Sequence, residues 1–178
     1  MELIFIALAA SILALLFATY IAVSVSRQDA GNEVMQEIGR AIQEGALAFL
    51  KREYLMLSIF ALAIAIVIAL FIDYDILDKL DTDRSVPFTA IAYLVGAIGS
   101  GLTGVIGMSV AIRANTRPTA AAMIGLNRGL RVAFNSGSVM GTAVVGIGLL
   151  GVTVLYWVFQ DITIVAGFGF GASSVALF

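Results

Sequence analysis

Residues 3–26, LIFIALAASILALLFATYIAVSVS, contain no charged side chain over 24 consecutive positions. An α-helix rises about 1.5 Å per residue, so such a run is long enough to cross a hydrocarbon core of about 30 Å. A cleaved signal peptide is the alternative, but it would have a basic start and an apolar core of only about 7 to 15 residues. Because Glu2 precedes this longer run, we expect a retained transmembrane helix.

The composition of the whole chain excludes a soluble domain. Of its 178 residues, 61% are hydrophobic and 12% are charged, whereas globular domains have about 25% charged residues. The sequence has no cysteine and no histidine, which excludes disulfides, thiolate metal sites and His-dependent catalysis. The net charge of -2 gives no basic footprint for nucleic acid. The composition therefore predicts an integral membrane protein.

Other uncharged segments define the remaining spans. Together they predict an all-α bundle of four complete transmembrane helices and the start of a fifth, at residues 3–26, 54–72, 88–112, 132–159 and 162–178. Four Lys or Arg residues lie within 27–53 and four within 113–131, whereas the segment between the second and third spans has two. By the positive-inside rule, we expect a cytoplasmic loop at 113–131, and the N-terminus and a loop at 73–87 outside.

Residues 32–53 predict a cytoplasmic amphipathic helix. Small or apolar side chains recur there at spacings of three and four, starting from Asn32, a suitable N-cap residue. If the helix continues into the second span, it is 41 residues long, or roughly 60 Å. Two interpretations stay open: a wall beside a cytoplasmic catalytic domain, and a helix that lies flat on the lipid surface.

Small residues four positions apart predict close packing between helices in the later spans. They are Gly96, Ser100 and Gly104 in the third span, Gly137 and Gly141 in the fourth, and Gly167 and Gly171 in the fifth. This spacing lets two helix backbones approach to van der Waals contact. Space for a pore is the alternative interpretation.

Two charged clusters are candidates for a ligand site. Aspartates between residues 73 and 83 fail the calcium-loop spacing, because Asp78 stands where glycine is required and Arg84 where glutamate is required. We expect a solvated external loop there. The stretch RANTRPTAAAMIGLNRGLR, residues 113–131, could bind phosphate through its four arginines, although positive-inside anchoring explains the same charges. The four complete spans contain no Asp, Glu, Lys or Arg that would mark an ion path.

Four stretches together resemble the N-terminal part of the membrane-integral inorganic pyrophosphatases, which pump protons or sodium ions at the expense of pyrophosphate. They are EIGRAIQEGALAFLKREY (37–54), YLVGAIGSGLTGVIGMSVAIRANTR (93–117), VAFNSGSVMG (132–141) and GFGFGASSVALF (167–178). The resemblance implies a sixteen-helix fold in which the first four helices are in an outer ring and the fifth is in an inner ring. Pro118 departs from the family pattern after Arg117, where the resemblance implies threonine, and weakens the expectation of a helix start there.

The same resemblance implies the chemistry of the intact protein. It would hydrolyse pyrophosphate with Mg²⁺ as cofactor, usually as a homodimer, and this segment does not indicate whether K⁺ activates it. The acids and lysines of catalysis would follow residue 178, so no catalytic or metal-binding residue is expected here. Ser173 and Ser174 lie on the inner-ring helix and are the candidates for the ion path.

We therefore expect an N-terminal fragment of a pyrophosphate-energised H⁺ or Na⁺ pump. It would lie in the cell membrane with lipid and the rest of the pump polypeptide as partners, and it would be inactive alone. The alternatives are a non-catalytic membrane scaffold or accessory subunit, and a small channel or transporter.

Overall fold

The computed structural model describes residues 2–74, 76 and 86–177. These residues form the helices α1 (Glu2–Ser26), α2 (Glu33–Ile68, followed by a π-helical turn at Ala69–Asp73), α3 (Phe88–Ala114), α4 (Thr116–Ile124), α5 (Leu126–Phe159) and α6 (Ile162–Ala176). The helices α1, α2, α3 and α5 are long and apolar enough to cross a membrane, and α6 is a shorter apolar helix. The predicted all-α membrane fold is thus confirmed.

The amphipathic segment and the second predicted span form one helix. It runs for 41 residues, Glu33–Asp73. The side chain of Asn32 caps its start, because Asn32 Oδ1 accepts a hydrogen bond of 2.9 Å from the Met35 N–H. Directly before the cap, Gly31 has a φ of 84°, a left-handed conformation that glycine adopts without strain. The segment that connects α1 to α2 therefore ends at Gly31 and Asn32.

The segment 113–131, predicted as a cytoplasmic loop between two spans, is mostly helical, and its cytoplasmic location stays a prediction. It contains α4 and the first residues of α5. Pro118 is the third residue of α4, where its missing N–H needs no partner within the helix. Gly125 separates α4 from α5.

The chain divides into two compact units. Unit 1 comprises Met1–Ala10, Glu53–Leu102 and Ile147–Phe178, and unit 2 comprises Ser11–Arg52 and Thr103–Gly146. The apolar core of unit 1 has one cluster around Tyr93 and another around Phe168. The core of unit 2 joins α1, α3 and α5 through the buried side chains of Ile21, Val25, Ala114 and Val139.

Most of the helix surface is exposed. In the apolar 18-residue stretch of each of α1, α2, α3 and α5, only 17% to 28% of the residues are buried. Large apolar side chains such as Leu3, Phe134 and Ile162 are more than 70% exposed. Exposure of this apolar surface to water would cost about 25 cal/mol of free energy per Å². The surface therefore has to be covered by lipid or by other helices.

Candidate functional site

The helix that carries both predicted ion-path serines, α6, crosses α3 in unit 1 with its backbone against the backbone of α3. A Cβ atom on Gly171 would lie 2.7 Å from the carbonyl carbon of Tyr93, and closer still to its oxygen. A Cβ atom on Gly96 would lie 2.9 Å from the carbonyl carbon of Phe168. Neither position therefore has room for a side chain, and the absence of one on each helix permits the contact.

Gly167 extends the same contact by one turn of α6. A Cβ atom there would lie 2.8 Å from the carbonyl oxygen of Thr89 and 2.9 Å from its Cγ2 atom. The small residues at Gly167, Gly171 and Gly96 thus share one crossing, which we call the glycine crossing.

The structure distributes the other predicted packing residues differently. Ser100 and Gly104 are half-buried on α3. Gly137 and Gly141 are exposed on α5, and a Cβ atom on either would meet no atom of the described residues within 4 Å. A packing role for Gly137 and Gly141 therefore stays a prediction about helices beyond those described.

The two predicted ion-path serines differ in their surroundings. Ser174 is 4% exposed, and its Oγ donates a hydrogen bond of 2.7 Å to the Phe170 carbonyl oxygen in its own helix. Such back-bonding satisfies the hydroxyl internally. Ser173 is exposed, and among residues 2–74, 76 and 86–177 its hydroxyl has no hydrogen-bond partner. Of the pair, Ser173 is the one with a hydroxyl available to an ion or a water molecule.

Two local features fix α6 in unit 1. At its start, Asp161 Oδ1 accepts a hydrogen bond of 2.8 Å from the Thr163 N–H, an N-cap. Further along, the Phe168 ring occupies the space beside Gly151 of α5, where a Cβ atom would lie 3.0 Å or less from three ring carbons. Gly151 was not identified from the sequence, because its interval to the other glycines of α5 does not repeat every four residues.

Asp73 is a buried helix cap and does not belong to a solvated loop, so the sequence-based interpretation of this residue is wrong. Its exposure is 0%. Its Oδ1 accepts a hydrogen bond of 3.1 Å from the Thr89 N–H, and its Oδ2 accepts one of 2.9 Å from the Ala90 N–H. These amides are in the first turn of α3, where the helix dipole also favours a negative charge. A cap supplied from 16 residues away leaves no local sequence signal.

Two hydroxyls near this cap are buried without a partner in the described chain. They are Thr89 Oγ1 and the phenol oxygen of Tyr93. Tyr93 is fully buried against Ala61, Ala65 and Ile68 of α2. A buried polar group without a partner carries a desolvation cost, so these hydroxyls are candidates to bind internal water.

The described residues do not fit a magnesium site. Within them, no group of three or more His, Cys, Asp or Glu side chains is close enough to hold a metal ion. Asp75, Asp78, Asp81 and Asp83 of the predicted external loop lie outside the described residues. No chemical step through a metal is therefore assigned to these residues.

Long apolar helices and a close crossing lined by small residues define a polytopic α-helical membrane protein. A sequence model described as inorganic H⁺ pyrophosphatase matches residues 12–178. The chain belongs to this family.

Curated relatives extend the match to almost the whole chain. A K(+)-insensitive pyrophosphate-energized proton pump of Methanosarcina mazei is 41% identical over 177 residues, which cover 99% of this chain and 25% of the relative. The K(+)-insensitive pyrophosphate-energized proton pump 2 of Moorella thermoacetica is 45% identical over 185 residues, 100% of this chain and 25% of the relative. A putative K(+)-stimulated pyrophosphate-energized sodium pump of Clostridium tetani is 39% identical over 170 residues, 95% of this chain and 23% of the relative. The chain spans about a quarter of the length of these relatives.

Proposed function

We propose that these 178 residues supply the first helices of a pyrophosphate-energised ion pump. The observation that carries the proposal is the match to one quarter of pumps from three organisms, which covers 95% to 100% of this chain. In the whole protein, hydrolysis of pyrophosphate with Mg²⁺ would take place on residues outside this chain. The relatives include pumps named for protons and for sodium, so the proposal covers both ions.

Within such a pump, we propose that α1, α2, α3 and α5 form part of the outer ring and that α6 begins an inner helix. The glycine crossing supports this division, because it fixes α6 on α3 through backbone contacts that a side chain at Gly96 or Gly171 would prevent. The exposed hydroxyl of Ser173 supports a place on the ion path for this residue. Ser174, which is bonded to Phe170, would serve to pack α6.

We also propose the sidedness and assembly of the chain. The excess of Lys and Arg in residues 27–53 and 113–131 supports a cytoplasmic location for both segments, with the N-terminus outside. The family resemblance supports a homodimer of the intact protein. Maleimide labelling of single cysteines tests the sidedness cleanly, because the natural chain has no cysteine.

The activity of the isolated chain is the first test. Membranes that contain only these 178 residues should hydrolyse pyrophosphate no faster than membranes without them. Turnover above that background would contradict the proposal that hydrolysis takes place on residues outside this chain.

A chimera provides the positive test. This chain should replace the matching quarter of the Moorella thermoacetica pump, to which it is 45% identical, with retention of pyrophosphate-driven proton uptake into vesicles. In the chimera, Ser173→Ala should lower ion uptake per pyrophosphate hydrolysed, whereas the matched Ser174→Ala should leave that ratio unchanged. A chimera that inserts and dimerises but neither hydrolyses pyrophosphate nor transports ions would refute the proposed function.

A further inference from the structure

Unit 2 contains a polar pocket of about 160 Å³ between the first half of α2 and the junction of α3 with α4. We call it the arginine pocket, after a lining that includes Gln36, Arg40, Gln43, Arg113, Asn115 and Arg117. A single water molecule needs only about 10–15 Å³ by a comparable measure. The pocket is therefore large enough for a tetrahedral anion together with some of its water.

The pocket has cationic walls and no acidic lining residue among those described. The guanidinium of Arg117 is already engaged, since it donates to the carbonyl oxygens of Ser26 at 3.0 Å, Gln28 at 3.1 Å and Arg113. These bonds hold the C-terminal end of α1 and leave the charge of Arg117 at the edge of the pocket.

The other two guanidinium groups, of Arg40 and Arg113, are free in the described chain. Neither makes a hydrogen bond or an ion pair with residues 2–74, 76 or 86–177. Glu37 and Glu44 flank Arg40 along α2, but neither lines the pocket and neither is paired with Arg40 among the described residues. Two arginines from different helices thus face one space without a counter-ion.

A neutral hydrogen-bond donor in the lining of the pocket also lacks a partner in the described chain. The Nδ2 atom of Asn115 is buried, and in the described chain it has no hydrogen-bond partner. Asn115 also stands directly before α4, and its side chain does not cap that helix. Thr116 and Arg117, the first two residues of α4, also line the pocket, so the positive dipole end of that helix borders it, an arrangement that favours anions.

We propose that the arginine pocket binds a phosphate group, either the headgroup phosphate of an anionic lipid or free inorganic phosphate. The planar donor fork of arginine matches phosphate oxygens two at a time, and Asn115 supplies a further donor. The site is separate from the proposed hydrolytic chemistry and takes no part in it. Positive-inside anchoring explains why these arginines are present, but it gives them no defined ligand.

Binding is measured on the purified 178-residue chain in nanodiscs, with no readout of pyrophosphate hydrolysis. One arm titrates radiolabelled orthophosphate against nanodiscs of phosphatidylcholine alone. The other arm counts phosphatidylglycerol molecules retained by the chain in native mass spectrometry. Saturable binding of about one phosphate per chain in the first arm identifies free phosphate as the ligand. Retention of one phosphatidylglycerol molecule per chain, without binding in the first arm, identifies a lipid headgroup as the ligand.

Matched double variants test the location of the site. Arg40→Gln with Arg113→Gln should weaken binding at least about tenfold, because both charge-assisted donors are lost. Arg128→Gln with Arg131→Gln removes the same charge from exposed positions outside the pocket, and it should change the affinity by less than about twofold. Absence of saturable binding in both arms, or equal losses in the two double variants, would overturn the proposal.

A third variant keeps the test decisive if the double variant unfolds. Asn115→Asp preserves the size of the side chain and replaces the orphan donor with a carboxylate, so it should abolish binding by repulsion. Circular dichroism and size-exclusion elution would establish that the variant is folded. Undiminished binding in folded Asn115→Asp would also refute the site. Failure of any of these tests leaves the chimera experiment unaffected, since the two use different readouts.

Discussion

Gly171→Ala should separate α6 from α3. The added Cβ atom would lie 2.7 Å from the Tyr93 carbonyl carbon and 3.0 Å from the Ala97 nitrogen, whereas ordinary contacts begin at 3.4 Å. The helices must therefore move apart by about 0.7 Å, the difference between 3.4 and 2.7 Å, and by more at the carbonyl oxygen. A gap of about 0.5–1 Å already loses a quarter to a half of each dispersion contact across it.

The expected cost follows from this displacement. Overpacking a core costs about 1–3 kcal/mol, and we expect the upper end because the atoms struck are backbone and have no alternative rotamer. A loss of about 3 kcal/mol lowers the population with α6 docked about a hundredfold, at 1.4 kcal/mol per factor of ten. Gly169→Ala is the matched control, because a Cβ atom on Gly169 meets nothing within 4 Å in the described chain. The control should be neutral or up to about 1 kcal/mol more stable through helix propensity.

The assay uses a single thiol at the crossing. Ala97 is 6% exposed, and the natural sequence has no cysteine, so Ala97→Cys provides the only reactive site. Maleimide labelling in detergent should be slow in the Gly169→Ala background and much faster in the Gly171→Ala background, and thermal unfolding should occur at a lower temperature in the latter. Equal labelling rates and equal unfolding temperatures in the two backgrounds would show that the helices do not meet as described.

Other substitutions test single contacts by thermal unfolding in detergent. Asp73→Ala leaves two amides of α3 without their acceptor and should cost about 2 kcal/mol; Asp73→Asn, which keeps one acceptor oxygen, should cost less, and the reverse order would contradict the capping role. Tyr54→Phe removes the 2.8 Å bond to the Gly101 carbonyl oxygen and should cost about 1 kcal/mol, so an unchanged transition would exclude that bond. Arg117→Gln removes the hydrogen bonds to the carbonyl oxygens of Ser26 and Gln28 and should destabilise the end of α1 by about 1–2 kcal/mol. Amide hydrogen exchange near Ser26 should then be faster, and unchanged exchange would contradict the proposed role of these bonds. Gly137→Ala should be neutral or up to about 1 kcal/mol stabilising in this chain alone, and a large loss would reveal a contact within the chain that the structure lacks.

Some of the candidate site could be predicted because its signal is local. The interval of four between Gly167 and Gly171 marks a helix face that a second backbone can approach, and this face does lie on α3. The same interval at Gly137 and Gly141 leads to no contact among the described residues. The pattern identifies a surface suited to packing, but the neighbour depends on where other helices run.

The surroundings of charged groups could not be predicted in this way, because they depend on residues that are distant in the sequence. The sequence pattern predicts a solvated loop at Asp73, because four other aspartates follow it within ten residues. Its location inside the protein depends on two amides of α3 that come 16 and 17 residues later. The arginine pocket is similar, since Arg40 and Arg113 are 73 positions apart and belong to different helices.

The amino-acid sequence by itself determined the membrane as solvent, the positions of the long apolar helices and the family. These depend on the free energy of transferring each segment into lipid, which is a sum over neighbouring residues. Only the tertiary structure decided which glycines touch a backbone, which serine keeps a free hydroxyl and which charges find partners. Those outcomes depend on distances between residues far apart in the chain, and they are set when helices with several suitable faces pack in one particular arrangement.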